Sequence, residues 1–346
     1  MSITKYQGCL LGALIGDCMG APFEMSYFGR NGIKREIILN KLSKTLEKKE
    51  STFGYTDDSA MTKSVAHSLL KNNGFSRTDM ARRFRDDYIK EPFRGYGGGV
   101  VSIFQQWNTK EITDDNVYLP SKHQFDGSGS FGNGAAMRVA PIPLFAKSPD
   151  QCIEIAQRAA QLTHYNKHGI NGAILQALAI FHALQSKKDN FKVDEFLTYL
   201  KKQMKTIEKA SKVKIGHHKN ENENIEEYAK SENFSYCSQL EVIEKLISNE
   251  NTDLKTVIEQ IGHDISAMTA VPAAIISFLK NIDNGFEEVL YYAISLGGDT
   301  DTIASMACAI AGAFYGAQDI PKLWIEKCED SDILVDMGEK LYQVHS

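Results

Sequence analysis

Cysteine pairing is the first thing missing from this chain. Its six cysteines, Cys9, Cys18, Cys152, Cys237, Cys308 and Cys328, include no CxxC spacing, which argues against a structural zinc site or a thioredoxin-like redox motif. Several sit in apolar, helix-like contexts, where a free thiol behaves as a small hydrophobe, so they read as reduced thiols of an intracellular protein. Proline is scarce, at eight residues in 346, and no series of alternating strand-like segments appears. An excess of positive charge is missing too: the net charge of −5 provides no basic field for nucleic acid, so direct DNA binding is not expected. No uninterrupted apolar run is long enough to cross a bilayer. The stretch from Gly8 to Ala21 is apolar, but it is short and Asp17 breaks it. No cleavable signal peptide is apparent. These absences describe a soluble cytoplasmic or nuclear protein, away from membranes and monomeric.

What is present is helical periodicity. QCIEIAQRAAQLTH, GINGAILQALAIFHALQ, VDEFLTYLKKQMKTIEKA, LEVIEKLIS, LKTVIEQIGHDI, AAIISFLKNI and EEVLYYAISL space their apolar residues by three and four. The expected fold class is all-α, with residues 1–346 as one multi-helix domain. A hydrophobic content of 42% at this length supports a large core. The polar stretch 211–233 predicts an exposed loop or insertion; its His217 and His218 are ordinary solvated loop residues before they are metal ligands.

Glycine recurs at Gly8, Gly12, Gly16 and Gly20, one face of the first helix, and Ala304, Cys308, Gly312 and Gly316 repeat the pattern late in the chain. Each interior helical glycine costs about 1 kcal/mol relative to alanine. A repeated cost of that size argues for a steric requirement, so these two helices are expected to pack closely on each other. That packing would draw Asp299 and Asp301 towards Asp17 and Glu24.

Two acidic clusters each open an apolar helix-like run. One is Thr56-Asp57-Asp58-Ser59; the other is Gly297-Gly298-Asp299-Thr300-Asp301-Thr302. Thr56 and Asp299 stand at expected N-cap positions, and either cluster alone would be a plain cap. Asp57, Asp58 and Asp301 are surplus to capping and would repel one another. Helix dipoles offset only about 0.3–1 kcal/mol. A divalent cation explains the gathering better, and carboxylate plus hydroxyl oxygens, including Ser59 and Thr302, suit Mg²⁺ or Mn²⁺ over zinc.

A glycine-rich segment, Phe125-Asp126-Gly127-Ser128-Gly129-Ser130-Phe131-Gly132-Asn133-Gly134, precedes the helix-like run AAMRVAPIPLF, which Pro141 is expected to stop. Its backbone N–H groups are candidates for an anion pocket. It is neither a Walker loop nor a dinucleotide fingerprint. Phe125 and Phe131 either stack an adenine or anchor the loop. Pro22 is expected to break the first helix and leave Glu24 on a loop. His164 has two readings, a phosphate or ribose contact and a structural histidine. The turn Arg94-Gly95-Tyr96-Gly97-Gly98-Gly99 lines a cleft or only packs.

Together, GCLLGALIGDCMGAPFE, YTDDSAM, FRGYGGGVVSIF, GSGSFGNGAAMRVAPI, LTHYNKHGINGAILQALAI and SLGGDTDTIASMACAIAGAFYG resemble the ADP-ribosylglycohydrolase family, from about residue 6 to about residue 320. The resemblance is greatest to its serine-ADP-ribose and poly(ADP-ribose) hydrolase branch. It implies two Mg²⁺ ions in a central cleft held by Thr56, Asp57, Asp58, Asp299, Asp301 and Thr302, with Mn²⁺ an alternative. It implies Glu24 as a mobile glutamate that gates the cleft, and Asp57, Asp58 and Asp299 as carboxylates of the catalytic centre. Gly129, Ser130, Phe131, Gly132 and Asn133 would hold the diphosphate and adenosine, with Phe125 and His164 nearby. ADP-ribosylated proteins and poly(ADP-ribose) would be the substrates. Ser59 stands where the family often has threonine, and Phe131 where it has tyrosine. Other readings of the same residues are hydrolysis of ADP-ribosyl-arginine or O-acetyl-ADP-ribose, a metal-dependent pyrophosphohydrolase, and a non-enzymatic relative of the kind found among lens crystallins.

Overall fold

Glycine at every fourth position of the first helix, Ile3–Gly20, decides the centre of the molecule. In this computed structural model the helix runs antiparallel to the helix Thr300–Tyr315, and their small residues interlock. A Cβ added at Gly8 would lie 2.5 Å from Gly312 O, and one at Gly20 would lie 2.6 Å from Thr300 O. Between them, Cβ atoms on Gly12 and Gly16 would overlap the backbones of Cys308 and Ala304. The expected close packing is therefore present, and no larger residue fits at Gly8, Gly12, Gly16 or Gly20 without moving a backbone. All of Thr300–Tyr315 is buried, the mark of a helix at the heart of a core.

The structure describes residues 1–24, 32–210 and 234–345. Among them are seventeen α-helices and no β-strand, as the periodicity predicts. Only two isolated bridges join extended residues, Phe53 with Cys328 and Gly132 with Ser266. Around the central pair pack the helices Lys167–Gln185, Ala267–Lys280 and Phe286–Ser295, with Ser331–His345 against the first helix. Val193–Ala210 and Tyr236–Ser248 form an outer pair, each burying one apolar stripe. No described helix is long and apolar enough to cross a membrane. The 211–233 segment, with His217 and His218, lies outside the described residues.

Several local expectations meet their physical limits. The run after Leu254 ends at Ile261, because Gly262 adopts φ +83 and closes the helix. No helix fills the run after the glycine-rich loop. Asn133–Ala135 is a single 3-10 turn, and Pro141 begins the next helix, Pro141–Phe145, instead of ending one. Proline lacks an N–H, and the first helical position needs none. Pro22 does behave as expected. The first helix stops at Gly20, a 3-10 turn spans Ala21–Phe23, and Glu24 follows it into solvent.

Candidate active site

The antiparallel packing sets the C-terminal end of the first helix beside the N-terminus of Thr300–Tyr315. It thereby brings together residues almost 300 positions apart. One oxygen each from Glu24, Asp299 and Asp301 lie within 4.8 Å of one another. The Thr56–Ser59 cluster joins them through Asp58, whose Oδ2 accepts from Thr302 Oγ1 at 3.2 Å. Thr56 begins the helix Asp57–Asn72, and its Oγ1 accepts from Asp58 N at 3.3 Å, so it is the cap the sequence predicts. Asp299 occupies the other cap position but makes no capping bond. Its Oδ2 accepts instead from Asn133 Nδ2 at 2.5 Å, which turns the carboxylate into the site.

Asp17 organises this region from beneath. It is fully buried on the first helix and accepts from Thr56 N, Thr56 Oγ1 at 2.8 Å and Ser59 N at 3.0 Å. One carboxylate thus satisfies the N-cap N–H and one orphan donor, Ser59 N, of a second helix. Arg94 fixes the outer side, where its carbonyl accepts from Asp57 N at 2.7 Å.

So many carboxylates in little water disfavour their own charge. Burial, then the neighbouring Asp17, pushes Asp57 up to about 8. Burial followed by the charges of Asp17 and Asp301 raises Asp58, and burial with Asp299 raises Asp301. Glu24 is raised by partial burial and by Asp299. Asp58 Oδ1 is buried with no hydrogen-bond partner among the described residues. A buried orphan oxygen is rare in native proteins and calls for a missing partner. The donor set is carboxylate and hydroxyl oxygen only, the chemistry of a hard divalent cation. The residues present fit such an ion.

These groups line a cavity of about 390 Å³. Its walls include Glu24, Thr56, Asp57, Asp58, Asp299, Asp301 and Thr302, together with Phe125, Ser130, Gly132, Asn133 and His164. Gly129 and Phe131, also expected at the ligand, do not line it. Gly129, at φ +69, lets the loop lie against Tyr165 and Asn166, and the Phe131 carbonyl accepts from Ala267 N. The loop already uses the N–H groups of Gly127, Ser128, Gly129, Gly132 and Asn133 within the protein. The Gly95–Gly99 turn lines the cavity. A Cβ on Gly97 or Gly98 would meet no protein atom within 4 Å, and neither has a positive φ. Packing does not require glycine there; an open cavity floor does.

The ADP-ribosylglycohydrolase family model matches residues 2–346. This chain belongs to the ADP-ribosylglycohydrolase family. ADP-ribosylhydrolase ARH3 of Xenopus tropicalis is 38% identical over 99% of this chain and 96% of its own length. The Homo sapiens ARH3 is 37% identical, over 99% and 94%. A solved ADP-ribosylglycohydrolase-related protein complex shares the fold with a TM-score of 0.67 at 20% identity, covering 99% of each chain. The protein is a hydrolase acting on ADP-ribose glycosidic bonds. Around this cavity, sequence reasoning left out Asp17 as an organiser and the lining residues Met61, Val100, Gln124, Met137, Arg138, Thr163 and Ile265. One signal was available: Arg138 is a lone charge inside the apolar run AAMRVAPI.

Proposed function

We propose that the protein removes ADP-ribose from serine and shortens poly(ADP-ribose), by hydrolysis of the O-glycosidic bond at the ribose anomeric carbon. The observation that carries this reading is the joining of both acidic clusters in one cavity that the glycine-rich loop and Phe125 also line. That lining sets metal-ligating oxygens beside a surface suited to a nucleotide. The relatives named ARH3 support the same branch.

Thr56, Asp57, Asp58, Asp299, Asp301 and Thr302 would hold two Mg²⁺ ions, with Mn²⁺ acceptable to the same oxygens. Bound there, divalent cations supply a polarised water at neutral pH and fix the ribose hydroxyls. The chain's own groups do the rest. Asn133 holds Asp299 in place, and Asp17 holds Thr56 and the helix start behind Asp57 and Asp58. Glu24, exposed and close to Asp299 and Asp301, would handle the proton of the attacking water. The bond from the anomeric carbon to the serine oxygen breaks, the water oxygen takes its place, and the serine oxygen takes a proton. Positive charge that develops on the ribose ring in the transition state faces a ring of carboxylates. The protein would act as a monomer and single domain in cytoplasm or nucleus, on ADP-ribosylated proteins, without contacting DNA.

Incubation with a serine-ADP-ribosylated peptide, with Mg²⁺ or with EDTA, tests this by mass spectrometry of the products. The expected result is Mg²⁺-dependent release of free ADP-ribose with the serine intact. No release from serine or poly(ADP-ribose), with release from arginine-linked or O-acetyl-ADP-ribose, would assign another linkage. AMP as product would mean pyrophosphate cleavage, and inertness toward all of them a non-enzymatic relative.

A further inference from the structure

Arg138 is a cation buried beside the cavity, 1% exposed, with no carboxylate among the described residues hydrogen-bonded to it. Nη1 donates to Gly134 O at 3.0 Å and lies 3.9 Å from Met61 Sδ, and Nη2 donates to Ala159 O at 3.1 Å and to Thr163 Oγ1 at 2.7 Å. The guanidinium lies 4.7 Å from the centre of the Phe84 ring, and Nε has no hydrogen-bond partner among the described residues. A buried charge is expensive, and an apolar side chain of similar volume would fill the space more cheaply. Packing alone does not account for it.

Its contact with Thr163 does. The buried Thr163 hydroxyl sits 2.7 Å from Arg138 Nη2 and 2.7 Å from His164 Nδ1. Arginine carries only donors, so Oγ1 accepts from it and keeps one proton to give. The opposite arrangement, Nδ1–H donating to Oγ1, would leave the hydroxyl proton buried without an acceptor. Nδ1 therefore accepts, and the ring proton resides on Nε2. Burial, reinforced by the Arg138 charge, holds the imidazole neutral down to about 3. Nε2 points at the glycine-rich wall: a Cβ on Gly132 would come within 3.4 Å of it, and one on Gly134 within 3.3 Å. No described group hydrogen-bonds Nε2, and His164 lines the cavity.

We propose that Arg138 and Thr163 are positioning residues that fix His164 in its Nε2–H tautomer, so that it donates a hydrogen bond to a phosphate or hydroxyl oxygen of bound ADP-ribose. This rests on the substrate reading above. It makes His164 a recognition donor and leaves proton transfer to the carboxylates.

Nitrogen NMR of ring-labelled histidine in the free protein tests the relay, with His164→Gln assigning the signal. The expected wild-type spectrum has Nε2 protonated and Nδ1 bare at neutral pH. Thr163→Val should mix the tautomers and raise KM about tenfold, with kcat within about twofold, the loss of one good hydrogen bond. Thr163→Ser should restore both. Arg138→Met should act in the same direction, and Thr163→Val keeps the test decisive if that variant fails to fold. An Nδ1–H ring, an imidazolium at neutral pH, or a Thr163→Val protein with unchanged tautomer and KM would overturn the proposal. The tautomer is read without ligand. A protein that keeps the Thr163-dependent tautomer but fails to bind ADP-ribose would therefore support the relay while overturning the substrate reading.

Discussion

Asp57 and Asp301 sit in different clusters, and neither is the N-cap of its helix, although Asp301 Oδ1 accepts from Thr302 N at 2.9 Å. By burial and mutual repulsion their charged carboxylates are unfavourable to folding. Asp57→Ala and Asp301→Ala should each cut kcat/KM by about a thousandfold or more, roughly 4 kcal/mol of transition-state stabilisation. The melting curves should match or exceed the wild type, since a repelling charge has gone. Steady-state kinetics beside circular-dichroism melts check both halves, and full activity in either variant would sink the metal reading. The surplus of charge over capping need is what made these residues legible in the sequence. Asp17 was legible only as a neighbour, because its function is in hydrogen bonds to Thr56 and Ser59, about 40 residues away. Arg138 likewise meets the adjacent Thr163 and His164 only through folding, and no periodicity encodes a hydroxyl relay. Gly129 and Phe131 read as ligand contacts because a glycine-rich loop advertises an open backbone. The structure uses that freedom for packing against Tyr165 and Asn166.

Among the helices, the seam between Ile3–Gly20 and Thr300–Tyr315 was the most legible feature, since repeated glycine has few other uses inside a helix. It also makes a testable demand. Gly12→Ala should gain about 1 kcal/mol of helix propensity, but its methyl would overlap the Cys308 backbone, which cannot rotate aside. Overpacking of this kind costs about 1–3 kcal/mol, and contact with backbone on this seam puts it at the upper end, so a net loss of up to about 2 kcal/mol in urea unfolding is expected. Helices with sparse apolar residues were harder to read. Arg77–Lys90 buries only Met80, Ala81 and Phe84, and ion pairs decorate the rest. In it Asp79 meets Lys71 at 2.7 Å and Arg83 at 2.9 Å. Burial raises the Asp79 carboxyl, but hydrogen bonds from Lys71, Arg83 and Ser68 outweigh it and hold it down at about 2. That lies below the unfolded value of about 3.9, so its stabilisation is present above about pH 4 and is lost as pH falls through 2. Asp79→Asn should therefore cost about 1 kcal/mol at pH 7, with wild type and variant converging toward pH 2 in denaturant titrations. Convergence at high pH instead would reverse the sign and remove the argument. The helix boundary at Pro141 was misread because proline both ends and begins helices, and only the backbone path decides which.

For the molecule as a whole, the packing that builds the core is also what concentrates the charge. The chain carries a modest net charge of −5, yet the fold places Asp17, Asp58, Asp299 and Asp301 in its interior, each less than a tenth exposed. Surface cations cannot answer this. The pairs that Lys and Arg make, such as Lys63–Asp330 and Arg94–Glu329, lie outside the cluster. The native state thus holds a local repulsion that the unfolded chain relieves by hydration. A divalent cation bound only by the folded form shifts that balance by mass action, by about 2.7 kcal/mol at a hundredfold excess over Kd. At this chain length that corresponds to about 3–4 °C in Tm. Calorimetry in MgCl₂ against NaCl of equal ionic strength separates site binding from screening, because screening acts poorly on buried charges. The wild type should gain the shift in MgCl₂ alone. Asp301→Asn should show a higher Tm than wild type without Mg²⁺ and little further gain with it. A wild-type Tm indifferent to Mg²⁺ would mean that these carboxylates hold no such ion, and the orphaned Asp58 Oδ1 would then need another partner.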